Sequence, residues 1–202
     1  MKKKFIAAAG ALCSLLVAGC GSTGQATPDS TPSVAVAGPA SASATPTPTA
    51  TEGPKSSRGN LIKAVGQPAS LTYNDKTVAT FVAKSIEITT ACPAQYAPKP
   101  KNGQIVIVTF DAQTTSDLAS TPMKTWDLNI FGWKAIAGNG TTVNGNIASF
   151  GCLDSTQQLP SSMGPAENAT GKMAFDVPPG NGTLIYTEPG ATKGWEWDYP
   201  AK

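Results

Sequence analysis

The sequence predicts an all-β domain, a two-sheet sandwich, on three observations. Short apolar runs separated by turn residues fill the chain from residue 61 onward, four Asn-Gly dipeptides stand among them, and no segment sustains a helical period beyond a short turn around residues 157–163. Asn102-Gly103, Asn139-Gly140, Asn144-Gly145 and Asn181-Gly182 supply the positive-φ positions on which tight hairpins depend. Seven or so short strands in about 140 residues suit two packed sheets.

In order, strands are expected at residues 69–73, 76–90, 104–115, 126–136, 172–177, 183–187 and 194–199. Ile105-Val106-Ile107-Val108 is apolar at successive positions, hence on both faces, which places that strand centrally in its sheet. Trp195-Glu196-Trp197-Asp198-Tyr199 alternates, so the aromatics face a core and Glu196 and Asp198 face the solvated side.

Ahead of the domain, residues 1–19 have the parts of an export signal: a Lys2-Lys3-Lys4 head, an apolar stretch over residues 5–18, and small residues before a cleavage point. The stretch is shorter than the roughly 20 apolar residues that a membrane-spanning helix needs. It ends Val17-Ala18-Gly19-Cys20, which resembles the lipobox of bacterial lipoproteins. The resemblance implies that the Cys20 thiol receives a diacylglyceryl group and that the peptide is cut just before it. Two acyl chains at about 0.8 kcal/mol per buried CH₂ hold a protein at a bilayer where one is marginal. The location implied is the cell membrane, lipid-anchored, on the extracytoplasmic face; ordinary secretion with an incidental cysteine is the alternative.

Residues 20–60 are rich in Ser, Thr, Ala, Gly and Pro, with few charges and no aromatic residue, and read as a disordered linker. A chain of some 40 residues reaches roughly 35 to 120 Å, depending on how extended it is. Thr45-Pro46-Thr47-Pro48-Thr49 is similar in composition to O-glycosylated stalks. The folded domain is assigned to residues 61–202.

The formal charge of +2 does not indicate a nucleic-acid partner. Lys2, Lys3 and Lys4 supply three of the fifteen basic residues, and without them twelve face thirteen acidic ones, a formal −1 with no basic run. Lys99 and Lys101 sit in a Pro- and Gly-bearing stretch that reads as a solvated turn.

Of four cysteines, Cys13 lies in the signal and Cys20 takes the lipid, leaving Cys92 and Cys152 in an oxidising setting where a disulfide is the default. Free thiols are the alternative, and zinc is weaker still, since two thiolates would have to recruit carboxylates.

Histidine is absent, which removes the usual general base, the Ser-His and Cys-His dyads and the commonest zinc and copper ligand. No nucleophile-elbow, phosphate-loop or EF-hand pattern occurs. The reading is a non-enzyme with no cofactor and no metal. Glu196 and Asp198 form the one carboxylate pair offered to a hydrolase, and Asp111, Asp117 and Asp127 are scattered acids whose spacing defines no ligand set. Trp126, Trp133, Trp195 and Trp197 are the residues placed for ligand contact, because exposed Trp forms binding hot spots and sugar-stacking platforms; core packing is the competing role.

Gly66-Gln67-Pro68, Pro100-Lys101-Asn102-Gly103-Gln104, Gly171-Lys172-Met173-Ala174-Phe175-Asp176-Val177-Pro178 and Gly194-Trp195-Glu196-Trp197 together resemble the telokin-like, immunoglobulin-fold extracellular domains of actinobacterial lipoproteins and secreted antigens. The resemblance covers roughly residues 61–199 and implies an immunoglobulin-like sandwich with no catalytic residues. Antibody-type spacing is lacking: Cys92-Pro93 belongs to a loop, Trp126 lies too far beyond it, and Phe150 stands where a corner tyrosine would be. The disulfide is therefore expected to staple an edge or loops.

The function read from the sequence is a membrane-anchored, extracytoplasmic binding or interaction module whose partner is an envelope protein, glycan or lipid. A carboxylate-dependent envelope hydrolase and a structural or antigenic spacer are the alternatives.

Overall fold

Alternating side chains and turn chemistry place eight strands in two four-stranded sheets that face each other across an aromatic core. The computed structural model describes residues 53–202, so the signal, Cys20 and most of the linker lie outside the described residues. One sheet runs in the order β1 (Leu61–Ile62), β8 (Trp195–Tyr199), β7 (Gly182–Tyr186), β5 (Trp133–Ala137). The other runs β2 (Pro68–Tyr73), β3 (Lys76–Thr89), β4 (Gln104–Thr114), β6 (Asn168–Val177). All neighbouring strands are antiparallel except β1 and β8, which pair in parallel.

The core is centred on Phe81, whose ring lies 5.2 to 6.4 Å from those of Phe110, Trp126, Tyr186, Trp195 and Trp197. Trp133 closes the cluster against Phe175, with centroids 4.8 Å apart. Edge-to-face and offset rings of this kind add roughly 0.5 to 1.5 kcal/mol per pair beyond the area they bury.

β4 lies between β3 and β6, as its doubly apolar start predicts. Its inward residues Val106, Val108 and Phe110 join the main core, while Ile105 and Ile107 face outward and are buried with Cys152, Leu153 and Ala174. The cover over that outer face is held by the Cys92–Cys152 disulfide, whose Cα atoms are 4.7 Å apart. The bond thus staples loops over a sheet, as expected. Asp176 fixes the turn before β4 by accepting the backbone N–H groups of Lys101 and Asn102 at 2.6 and 2.9 Å.

Several details depart from what the sequence predicts. Residues 126–136 are not one strand: Trp126 makes a single bridge to Met163, and a 3-10 turn at Ile130–Gly132 intervenes before β5. Asn129 is the cause, since its side chain accepts the Phe131 N–H at 2.8 Å and takes a donor that a sheet would need. The β6–β7 connection takes its positive φ at Gly180 (113°) and not at Gly182. The β2–β3 hairpin does fall where the two expected strands leave it, on Asn74 and Asp75, at φ 48° and 62°, a pair whose short polar side chains tolerate that region. Finally, residue 60 is too late an end for the linker. Ser56, Arg58 and Asn60 belong to the domain, for the reason given next.

The alternation of β8 puts Glu196 on a solvated face, yet the residue is only 3% exposed. Leu61 donates to the Gly194 carbonyl and Lys63 to that of Glu196, laying the preceding turn over the outer side of β8. There the Glu196 carboxylate accepts from Ser56 Oγ at 2.9 Å, Asn60 Nδ2 at 2.7 Å, and Arg58 Nε and Nη2 at 2.8 and 2.7 Å.

Candidate functional site

All four tryptophans are buried, at 5% exposure for Trp126 and Trp133, 8% for Trp195 and 2% for Trp197. Core packing, the competing role, thus holds for all four: Phe81, Phe110, Phe175 and Tyr186 pack against their rings, and none stands exposed as a sugar-stacking platform. The strand period that makes them attractive as an aromatic row is the same period that turns them inward.

One of them, Trp126, reaches the back of a cleft. The end of β2, the 3-10 turn Ser116–Ser120, the loop over residues 121–129 and the turn after β7 enclose about 470 Å³, within the range of small-molecule sites. Leu71, Val78, Leu118 and Trp126 give it apolar walls. Met123, 79% exposed, and Tyr73, 39% exposed, form its lip. The loop is held by Thr121, whose hydroxyl donates to the Leu118 carbonyl at 2.9 Å and accepts the Lys124 N–H at 3.1 Å. Lys124 itself adopts φ 59°.

Polar groups converge at one wall. The Tyr186 hydroxyl donates to Glu188 Oε2 at 2.6 Å and accepts the Asn129 N–H at 3.3 Å, while Trp126 Nε1 donates to the same Glu188 oxygen at a longer 3.4 Å. Burial pushes the Glu188 carboxyl above its ordinary value, the Asp127 charge adds to that, and the hydrogen bonds from Tyr186 and Trp126 only partly offset it. Burial likewise raises Asp127. The Tyr186 hydroxyl is pushed up by burial first and by its bond to Glu188 second. Among the described residues neither carboxylate has an ion-pair partner. The site is two half-buried acids, unpaired with any cation among the described residues, beside an apolar cleft.

The other acids are otherwise engaged. Asp111 accepts from Thr170 Oγ1 at 2.7 Å and pairs with Lys84 at 3.3 Å, and Asp117 pairs with Lys76 at 2.7 Å. No group of three acidic, cysteine or histidine side chains able to hold a metal occurs among the described residues. Glu196 cannot serve as a general acid beside Asp198: burial favours its protonation, but the bonds from Arg58, Asn60 and Ser56 prevail and hold its carboxyl below the ordinary range, opposite to what glycosidic acid catalysis needs. Asp198 is exposed and accepts from Thr183 Oγ1 at 2.7 Å.

A second, smaller cavity of about 250 Å³ lies on the other side of Asp127, between Leu128, Phe150, Leu153 and Met173. Its Phe150, 57% exposed, pairs at 6.1 Å with Phe131, which is 72% exposed.

Neither Tyr186 nor Glu188 stands out in the sequence. Tyr186 is one more strand aromatic, and Glu188 falls in a turn with no motif around it; its one signal is an acid placed soon after an apolar strand.

No family model matches the chain, and no curated protein matches it either. Solved structures are similar at low identity, three of which follow. The secreted protein MPT63 of Mycobacterium tuberculosis is 14% identical, with 69% of this chain and 98% of that one covered and a TM-score of 0.46. An uncharacterized β-sandwich protein of Clostridium difficile 630 is 13% identical over 73% of this chain and 99% of its own, with a TM-score of 0.44. The yjhA protein of Bacillus subtilis is 14% identical over 60% of this chain and 78% of its own, with a TM-score of 0.39. At these identities nothing about ligand or activity passes from them to this chain. Among the described residues no helix is long and apolar enough to cross a membrane.

Proposed function

We propose that this chain is an extracytoplasmic module, tethered by lipid on Cys20, that binds a ligand in the cleft behind Met123 without transforming it. The observation that carries the reading is the Glu188 carboxylate, fixed by Tyr186 and Trp126 at the wall of an apolar cleft of about 470 Å³. Such convergence of a few oriented polar groups on an apolar concavity is the usual build of a ligand site. The lipobox-like Val17-Ala18-Gly19-Cys20 supports the tether, and the sequence resemblance to telokin-like lipoprotein domains supports the location.

The exposed Met123 lip and the Phe131–Phe150 pair argue against a spacer with uniformly polar faces. The engaged state of Glu196 argues against the hydrolase that needs it with Asp198.

Both halves of the proposal have a direct test. Mass spectrometry of the mature amino terminus is expected to find an acylated Cys20, lost in Cys20→Ala; an unacylated chain starting at Gly21 in native cells would refute the tether. For the cleft, a fragment set titrated into the mature chain is expected to shift the NMR signals of the Met123 methyl and Trp126 indole first. Responses confined to other surfaces would reject it.

A further inference from the structure

We infer that the cleft takes a ligand built of a cationic nitrogen on an apolar body, an alkyl or aryl ammonium. The inference rests on the cleft being the ligand site and names the chemistry that fills it.

The apolar walls at Leu71, Leu118 and Trp126, with Met123 at the lip, define one half of the ligand. Burying an apolar body there releases water from both surfaces, and Met123 is an adaptable side chain suited to closing over bodies of different shape. The other half follows from charge. Asp127 and Glu188 both line the cleft, the Asp127 charge acts on Glu188, and among the described residues no Lys or Arg forms an ion pair with either. The Tyr186 hydroxyl, which faces them, has already committed its proton to Glu188. Asp127 has no hydrogen-bond donor at all among the described residues, and Glu188 Oε1 has none either.

The wall therefore presents free carboxylate acceptors and negative charge, with no cationic side chain among the residues that line the cleft. A carboxylate or phosphate ligand would be repelled, and a neutral apolar one would desolvate the acids further without pairing them. An ammonium supplies both the missing donors and the missing charge, and it relieves the repulsion between the two carboxylates.

The test uses the mature chain and three probes with one eight-carbon tail: n-octylammonium, 1-octanol and octanoate, titrated by calorimetry and followed by NMR at Trp126 and Met123. Octylammonium is expected to bind at least about tenfold more tightly than octanol, with octanoate weakest. Glu188→Gln with Asp127→Asn, which keeps an acceptor for the Tyr186 hydroxyl, should erase the preference by weakening octylammonium to the level of octanol. In the unaltered protein, octylammonium affinity should fall as pH drops and Asp127 and Glu188 protonate, while octanol affinity does not; this arm decides if the double variant fails to fold. Equal binding of ammonium and alcohol would overturn the ligand class while leaving the cleft as a ligand site. Equal loss of all three probes in a folded double variant would also overturn the class. Binding of none of the three would overturn the class and the cleft reading together.

Discussion

Arg58 closes a two-pronged ion pair on Glu196, with its Nε and Nη2 at 2.8 and 2.7 Å from the two carboxylate oxygens, across 138 residues of chain. Ser56 and Asn60 complete the set, so a stretch that looks like spacer in composition forms a lid over the last strand.

Glu196→Gln should lower stability by about 1 to 3 kcal/mol, the range for a lost charge-assisted hydrogen-bond set at a part-buried site. The pH dependence follows from the depressed carboxyl. Its ordinary value is 4.5 and the folded value lies lower, so the unfolded chain binds the proton more readily. The contribution is complete above 4.5 and is lost as pH falls through the folded value. Thermal melts from pH 7 down to pH 2 should show native protein and Glu196→Gln converging at the acid end; a constant gap would contradict the argument.

Glu188→Gln should do the opposite. Burial raises the Glu188 carboxyl above its ordinary 4.5, so the folded state binds the proton more readily and stability declines as pH rises from 4.5 through the folded value. The amide keeps an acceptor for the Tyr186 hydroxyl, so the variant is expected to melt higher than the native protein at pH 8 and to lose that advantage at pH 4. Asp127→Asn should follow the same direction, since burial raises that carboxyl too.

Cys92→Ser with Cys152→Ser should cost about 2 to 5 kcal/mol while the β-type circular dichroism persists. The main core does not include the bond, whereas Ile105 and Ile107 depend on the cover it holds. Hydrogen exchange should accordingly rise over residues 92–103 and 149–153 before it rises in β7 and β8. Uniform loss of protection would show that the staple matters to the whole sandwich.

Phe81→Ala should be the most damaging single truncation, about 3 to 5 kcal/mol, because the ring is 1% exposed and touches five other aromatics from both sheets. Near-ultraviolet circular dichroism should lose its tryptophan bands along with the drop in melting temperature, and an unchanged near-ultraviolet spectrum would count against Phe81 as the hub.

Local patterns carried most of the sandwich. Period-two alternation at residues 195–199 fixed which side of β8 faces the core, and consecutive apolar residues at 105–108 marked β4 as covered on both faces. What local pattern could not show was the identity of a cover. The Glu196 face is closed by residues more than 130 positions earlier, and alternation reports only that one side is polar, not that the polar group is buried by its partners. The candidate site was illegible for a related reason. Asp127 and Glu188 line one cleft because a 3-10 turn at Ile130–Gly132 interrupts what reads as one strand, leaving the loop before it beside the turn after β7. The tryptophans drew attention by residue type, yet their burial is a property of the pairing register.

The parallel pairing of β1 with β8 covers only Leu61↔Trp195 and Ile62↔Glu196. If the amino-terminal side is anchored and the cleft is occupied by something that pulls, the mechanical load enters the domain through this short contact and the Arg58–Glu196 clamp beside it. Those few bonds would rupture before the long ladders of β3, β4 and β6 feel tension, letting the leading turn peel off β8 and lengthen the leash while the sandwich stays folded. The clamp would then behave as a mechanical fuse, and its breaking force, unlike that of the sheets, would weaken in acid as Glu196 takes up its proton.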